Sequence, residues 1–141
     1  MIQIVYASAA AEPFSADALK LLLAKARTRN ATYGVTGMLL YHGGSFLQVL
    51  EGYEADVEII FAFILRDPRH LNVNVLHRQT IQHREFPEWS MGFLSASGPP
   101  QKAPGLIDYR LALLNLNSAP TAAKRYLRLF QQGLCRQAAA K

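Results

Sequence analysis

The sequence predicts an α+β fold: a split β-α-β-β-α-β core with a fifth strand, two helices on one sheet face and a C-terminal helical extension. Short apolar runs bounded by turn residues mark the strands, and apolar residues spaced i, i+3, i+4, i+7 mark the helices. Their order along the chain, β-α-β-β-α-β-β and then a last helix, is the third observation. Such an order stacks two helices on one face of a mixed sheet and leaves the other face for additions.

Ile2, Ile4 and Tyr6 alternate with Gln3, Val5 and Ala7, so the first strand places the phenol beside two isoleucines. Ser15 is the expected N-cap of the first helix, with Asp17 in its first turn and Leu19, Leu22, Leu23 and Ala26 as its apolar stripe. Lys25, Arg27 and Arg29 crowd its C-terminal end, where Asn30, a residue that tolerates the left-handed conformation, is expected to stop it. Strands are expected at 35–41 and 45–50, joined by a short hairpin loop at His42-Gly43-Gly44. Val57, Ile60, Phe61 and Ile64 mark the second helix, stopped by Pro68. A fourth strand is expected at 72–81, with Val73 and Val75 on one face and Leu76 on the other. A fifth is expected at 89–94. After Ser95 a stretch with Gly98-Pro99-Pro100 and Pro104-Gly105 reads as a linker. The last helix is expected to begin near Pro120 at position N1. Its stripe of Ala123, Tyr126, Leu127, Phe130 and Leu134 must bury against the open sheet face or another subunit.

At 141 residues and 50% hydrophobic content the chain has enough material for one domain with a proper core. The lone cysteine, Cys135, rules out an internal disulfide framework and fits a reducing, cytoplasmic setting. No apolar stretch is long enough for a membrane span, and the N-terminus reads as a strand rather than a secretory signal. Residues 1–100 carry 8 Lys/Arg against 9 Asp/Glu, a net −1, and residues 101–141 carry 7 against 1, a net +6. The basic excess therefore belongs to the tail. It suits an acidic partner or nucleic acid, but with no aromatic or glycine pattern beside it the solvated face of a helix is the preferred reading.

Signatures of common catalytic sites are absent. There is no glycine-rich phosphate loop and no Gly-x-Ser-x-Gly elbow. His42, His70, His77 and His83 lack metal-ligand spacing, and no metal site is expected. An enzyme is not expected. Polar and aromatic residues do interrupt the apolar pattern at Tyr6, Asn30, Gln48, Arg69-His70, Trp89 and Met91. Gln48 stands out, because a primary amide in an apolar strand must find hydrogen-bond partners. With strands 1 and 3 central in a ferredoxin-like layout, Tyr6 and Gln48 are expected side by side on the helix-covered face.

Five segments in register carry a resemblance. They are Val5-Tyr6-Ala7-Ser8, Asn30 with Gly34-Val35-Thr36-Gly37, Phe46 through Gly52, Asp67-Pro68-Arg69-His70, and Arg84 through Met91. Over residues 2–94 the chain resembles the BLUF domain, the blue-light sensor using flavin. The asparagine pair of some members is single here, Asn30-Ala31.

The resemblance implies a cofactor, FAD, with FMN or riboflavin as alternatives. It implies Tyr6 as electron and proton donor to the excited ring. Gln48 would bridge Tyr6 to the N5/O4 edge and rearrange, while Asn30 holds the other polar edge. Arg69 and His70 would lie near the ring or the ribityl-phosphate chain, and Trp89 and Met91 would carry the signal. It further implies a flavin-binding domain at 1–97, an extension at 98–141 and signalling through a downstream protein. Self-association as a dimer or larger is expected from the exposed face of the added helix. The competing readings are a ferredoxin-like binding module without photochemistry and, more weakly, a nucleic-acid binder acting through the tail.

Overall fold

β1 (Ile2–Ala10), α1 (Ala16–Thr32), β2 (Thr36–His42), β3 (Ser45–Gly52), α2 (Glu54–Arg66), β4 (His70–Thr80), β5 (Gly92–Ser95) and α3 (Ala122–Gln131) follow one another along the chain. They are seen in a computed structural model that describes residues 1–12, 14–42, 44–87, 92–95 and 121–131. The strands form one sheet in the order β4-β1-β3-β2-β5. β1 lies antiparallel between β3 and β4, β2 is antiparallel to β3, and β5 runs parallel to β2 at the edge. This is the ferredoxin-like arrangement expected, with β1 and β3 as central neighbours.

All nine residues of β1 are buried, because both faces of the central sheet are covered. Ile2, Ile4 and Tyr6 join Leu22, Leu23, Val57, Ile60 and Ile64 in the core under α1 and α2. Val5 and Ala7, of opposite parity, join Met38, Leu40, Leu47, Val49 and the α3 residues Ala123, Leu127 and Phe130. Of the two places foreseen for the last helix, α3 therefore occupies the sheet face. Burying Leu127 and Phe130 there contributes on the order of 1.5–3 kcal/mol each. Tyr126 adds a hydrogen bond from its hydroxyl to the Leu76 carbonyl at 3.1 Å.

Ser15 caps α1 as expected, its Oγ accepting from Ala18 N–H at 3.1 Å. The far end differs from expectation. The helix runs past Asn30 to Thr32, and the left-handed residue is Gly34, with φ +64°. Val35 N–H reaches the Asn30 carbonyl at 2.8 Å and Gly34 N–H the Ala31 carbonyl at 3.2 Å, a Schellman closure. Glycine adopts this conformation without a Cβ clash, so the chain turns there and Asn30 becomes a buried residue of the last turn.

The β2–β3 loop is shorter than the His42-Gly43-Gly44 stretch, since His42 already pairs with Ser45, and Gly44 has φ +82°. β4 begins two residues earlier than expected, at His70. It keeps Val73 with the helix-side core and Leu76 with the α3 side. α3 begins at Ala122, where the Thr121 hydroxyl accepts from Lys124 N–H at 3.3 Å and takes the capping role. β5 is described at Gly92–Ser95. Trp89, Met91, the linker, Pro120 and Leu134 lie outside the described residues. No described helix is long and apolar enough to cross a membrane.

Candidate functional site

Tyr6 and Gln48 are registered partners across β1 and β3, and the Tyr6 hydroxyl donates directly to Gln48 Oε1. Both are buried on the helix-covered face, and the phenol ring packs against Phe61 of α2 at 5.4 Å between centroids. Burial drives the phenol far above its ordinary pKa. Arg29 pulls it back and Asp67 pushes it further up, so Tyr6 is a neutral donor. The pair lies side by side as the strand alternation requires.

Asn30 is fully buried in the last turn of α1. Beside it, Arg29 is half-buried. Its guanidinium lies over the Phe63 ring at 5.8 Å, and its Nε is buried with no hydrogen-bond partner among the described residues. Burial lowers its pKa, and the Asp67 charge opposes that shift. The sequence offers no signal for this role, because a cation at a helix C-terminus is already explained by the dipole.

His70, the first residue of β4, is partly buried. Its Nδ1 lies 3.2 Å from Ser8 Oγ and its ring 4.9 Å from Phe46. Arg69 is engaged by Asp67 through three side-chain hydrogen bonds of 2.7–3.1 Å and remains 45% exposed. It lines a cleft of about 370 Å³ with Ala11, Glu12, Phe14, Ala18 and Pro68. Among the described residues no cluster of His, Cys, Asp and Glu could hold a metal ion.

Burial lowers the His70 pKa, with Asp67 raising it and Arg69 and Arg29 lowering it further. A histidine held down in the folded state stabilises the fold above the unfolded pKa of about 6.5, and that stability is lost as pH falls. The unfolding free energy from urea titration is expected to drop between pH 7.5 and 5.5, by at most about 1.4 kcal/mol per pH unit for one proton. His70→Gln is expected to flatten that dependence. Equal slopes in the two proteins would remove His70 as its source.

A second polar group escaped the sequence reading. Gln3, Glu51 and Glu85 meet on the sheet face away from Tyr6. Its sequence signal was present: Gln3 and Glu51 each interrupt an apolar strand, and they are registered partners.

Residues 1–92 match the family described as BLUF, sensors of blue-light using FAD. The chain belongs to the BLUF family. The photoactivated adenylate cyclase subunit beta of Euglena longa is 38% identical over 89 residues, 62% of this chain and 10% of that protein. BlrB, a BLUF protein solved in its dark state, superposes with a TM-score of 0.67 at 30% identity, covering 94% of this chain and 96% of that one. Klebsiella pneumoniae BlrP1, solved with FMN and cyclic diGMP, superposes at 0.74 and 30% identity over 93% of this chain and 34% of that one. The chain spans about a tenth of the length of the curated relatives it matches.

This BLUF domain is a blue-light sensor that binds flavin, and the reading as a module without photochemistry is not favoured. Its side chains fit the cofactor. A phenol and two carboxamides, each amide with a donor and an acceptor, suit the carbonyl- and nitrogen-bearing edge of a flavin ring. Phe61 and Ile64 of α2 bring apolar surface to the same core. The buried Arg29 Nε is a donor suited to a polar acceptor.

Proposed function

We propose that this BLUF domain registers blue light through a hydrogen-bond exchange between Tyr6 and Gln48, with FAD as the chromophore. The observation that carries the reading is the direct, buried Tyr6–Gln48 hydrogen bond between registered residues of the two central strands. A bound flavin supplies the absorption of blue light and an electron acceptor. Tyr6 is the group suited to give up an electron and its hydroxyl proton to a bound flavin, and a phenol held this far above its ordinary pKa would not release the proton first. Gln48 is the neighbour through which that proton moves. Its carboxamide rearranges while the phenol is oxidised, presenting a donor where it had presented an acceptor. Return of the electron and proton to Tyr6 would leave a changed hydrogen-bond pattern around Gln48 and no change in covalent chemistry.

Asn30 holds the polar edge of the ring from α1. His70 and Arg69 serve its neighbourhood, with Arg69, exposed at the cleft, offering a cation to a phosphate-bearing chain. A phosphate is common to FAD and FMN and absent from riboflavin. The family description names FAD, which favours it over FMN. Trp89 and Met91 carry the response outward. We assign residues 1–97 to flavin binding and 98–141 to an extension, and place the protein in the cytoplasm as a dimer or larger that signals to a separate protein.

Purified protein is expected to show an oxidised-flavin spectrum that shifts slightly to the red under blue light and recovers in the dark. Mass spectrometry of the cofactor released by denaturation is expected to give FAD. Bound flavin without a shift would remove the switch, and protein that takes up no flavin on reconstitution would remove the reading altogether.

A further inference from the structure

Behind the light-reactive face runs a chain of buried and partly buried polar contacts that the Tyr6–Gln48 exchange does not use. The Glu51 carboxylate accepts three hydrogen bonds, from Phe86 N–H at 2.8 Å, Glu85 N–H at 2.9 Å and Gln3 Nε2 at 3.0 Å. Gln3 also donates to Glu85 Oε1 at 3.2 Å and accepts from Gln79 Nε2 at 3.0 Å. The other Glu85 oxygen takes the hydroxyl of Thr121 at 2.7 Å, the residue that caps α3. Arg84 closes the same segment onto the sheet, donating to Thr36 Oγ1 at 3.0 Å and to the Glu51 carbonyl at 3.3 Å.

Gln3 and Glu51 are both fully buried, so these bonds compete little with water. All three partners of the Glu51 carboxylate are donors, which suits the acceptor-only form; burial raises the Glu51 pKa, and these three hydrogen bonds oppose that shift. Apolar contacts through Ala123, Leu127 and Phe130 already hold α3 on the sheet. Apolar contact tolerates sliding, whereas directed hydrogen bonds select one position. Glu51 lies three residues after Gln48 on the same strand, and so on the opposite face. β3 therefore carries the light-reactive amide on one side and this clasp on the other.

We propose that Glu51 is a positioning residue of the light response. It fixes segment 84–87 and, through Glu85 and Thr121, the N-terminus of α3 to the strand that bears Gln48, so that a displacement of β3 is delivered to α3. This relay rests on the role of Gln48 given above.

The test is hydrogen exchange by mass spectrometry on the full flavin-loaded chain, dark and illuminated, with the flavin red shift recorded on the same samples. Wild-type protein is expected to show a light-dependent change in segments 84–87 and 122–131. Glu51→Gln is expected to keep the red shift but reduce the light-minus-dark difference in both segments by about five-fold or more, the scale of losing one hydrogen bond at a buried site. Thr121→Val, which cuts only the last link, is expected to lose the difference in 122–131 and keep it in 84–87. It decides the matter should Glu51→Gln fail to fold. A merely structural role would raise exchange equally in dark and light, leaving the difference intact, and that result overturns the proposal. A wild-type red shift with no change in 122–131 overturns the relay alone, whereas a missing red shift overturns the Gln48 switch and the relay with it.

Discussion

Tyr6→Phe is expected to leave the protein coloured and blind. Phenylalanine keeps the ring that packs on Phe61 and fills nearly the same buried volume, so the pocket wall and the flavin survive. What disappears is one hydroxyl, and with it the transferable proton and the readily oxidised group hydrogen-bonded to Gln48. Flavin absorption should stay at wild-type intensity while the light-induced red shift falls from full amplitude to none. Stability should drop by about 1–3 kcal/mol, the cost of leaving a buried polar group with a partner removed. Gln48→Leu approaches the same bond from the other side. It strands the Tyr6 hydroxyl among apolar atoms and should also abolish the shift while flavin stays bound. Difference spectra before and after illumination read both variants, and a surviving shift in either would sink the Tyr6–Gln48 mechanism.

The pair was legible because strand chemistry is local. Alternation places Tyr6 with Ile2 and Ile4, the central position of strands 1 and 3 follows from element order, and an amide in an apolar run needs a partner. Asn30 was legible as a site residue but not as a helix position. Both Asn30 and Gly34 could adopt the left-handed turn, and the competition between them is settled by the missing Cβ of glycine, four residues on. Arg29 was hidden for a different reason. Its charge at a helix end has an adequate surface explanation, and its placement over the Phe63 ring of another element follows from the packing of α2 against α1 and not from any local pattern. The Glu51 clasp depends on partners 34 and 35 residues further along, in a segment whose return to the sheet no local pattern announces. The docking of α3 was half legible: its stripe demanded a partner, and only the sheet's second apolar face shows which one it takes.

Gly37→Ala is expected to have the largest effect on stability of any single methyl added to the sheet. Elsewhere in a strand, replacing glycine by alanine generally stabilises, by about 0.5–1 kcal/mol, because the unfolded chain loses freedom. Gly37 of β2 reverses that sign. A Cβ built there would run into the Val49 carbonyl oxygen, with Val49 C at 2.9 Å and Leu50 Cα at 3.4 Å. These are backbone atoms of β3, which cannot give way as a side chain can. β3 is held on its other side by β1 from Ile2↔Gly52 to Ala9↔Ser45, and it carries both Gln48 and Glu51. Relief therefore requires β2 to pull off β3, at a cost of overpacking plus lost ladder bonds, about 3–5 kcal/mol together. Gly52 supplies the contrast. Its nearest obstacle is a Val57 methyl at 3.3 Å, the end of a side chain that can shift, so Gly52→Ala should move stability by less than about 1 kcal/mol. Urea denaturation followed by far-ultraviolet circular dichroism compares the two variants directly. A Gly37→Ala protein that unfolds at or above the wild-type midpoint would mean that β2 and β3 do not approach this closely. The expected loss, paired with a near-neutral Gly52→Ala, would mean that the strand bearing Gln48 is clamped from both sides by backbone.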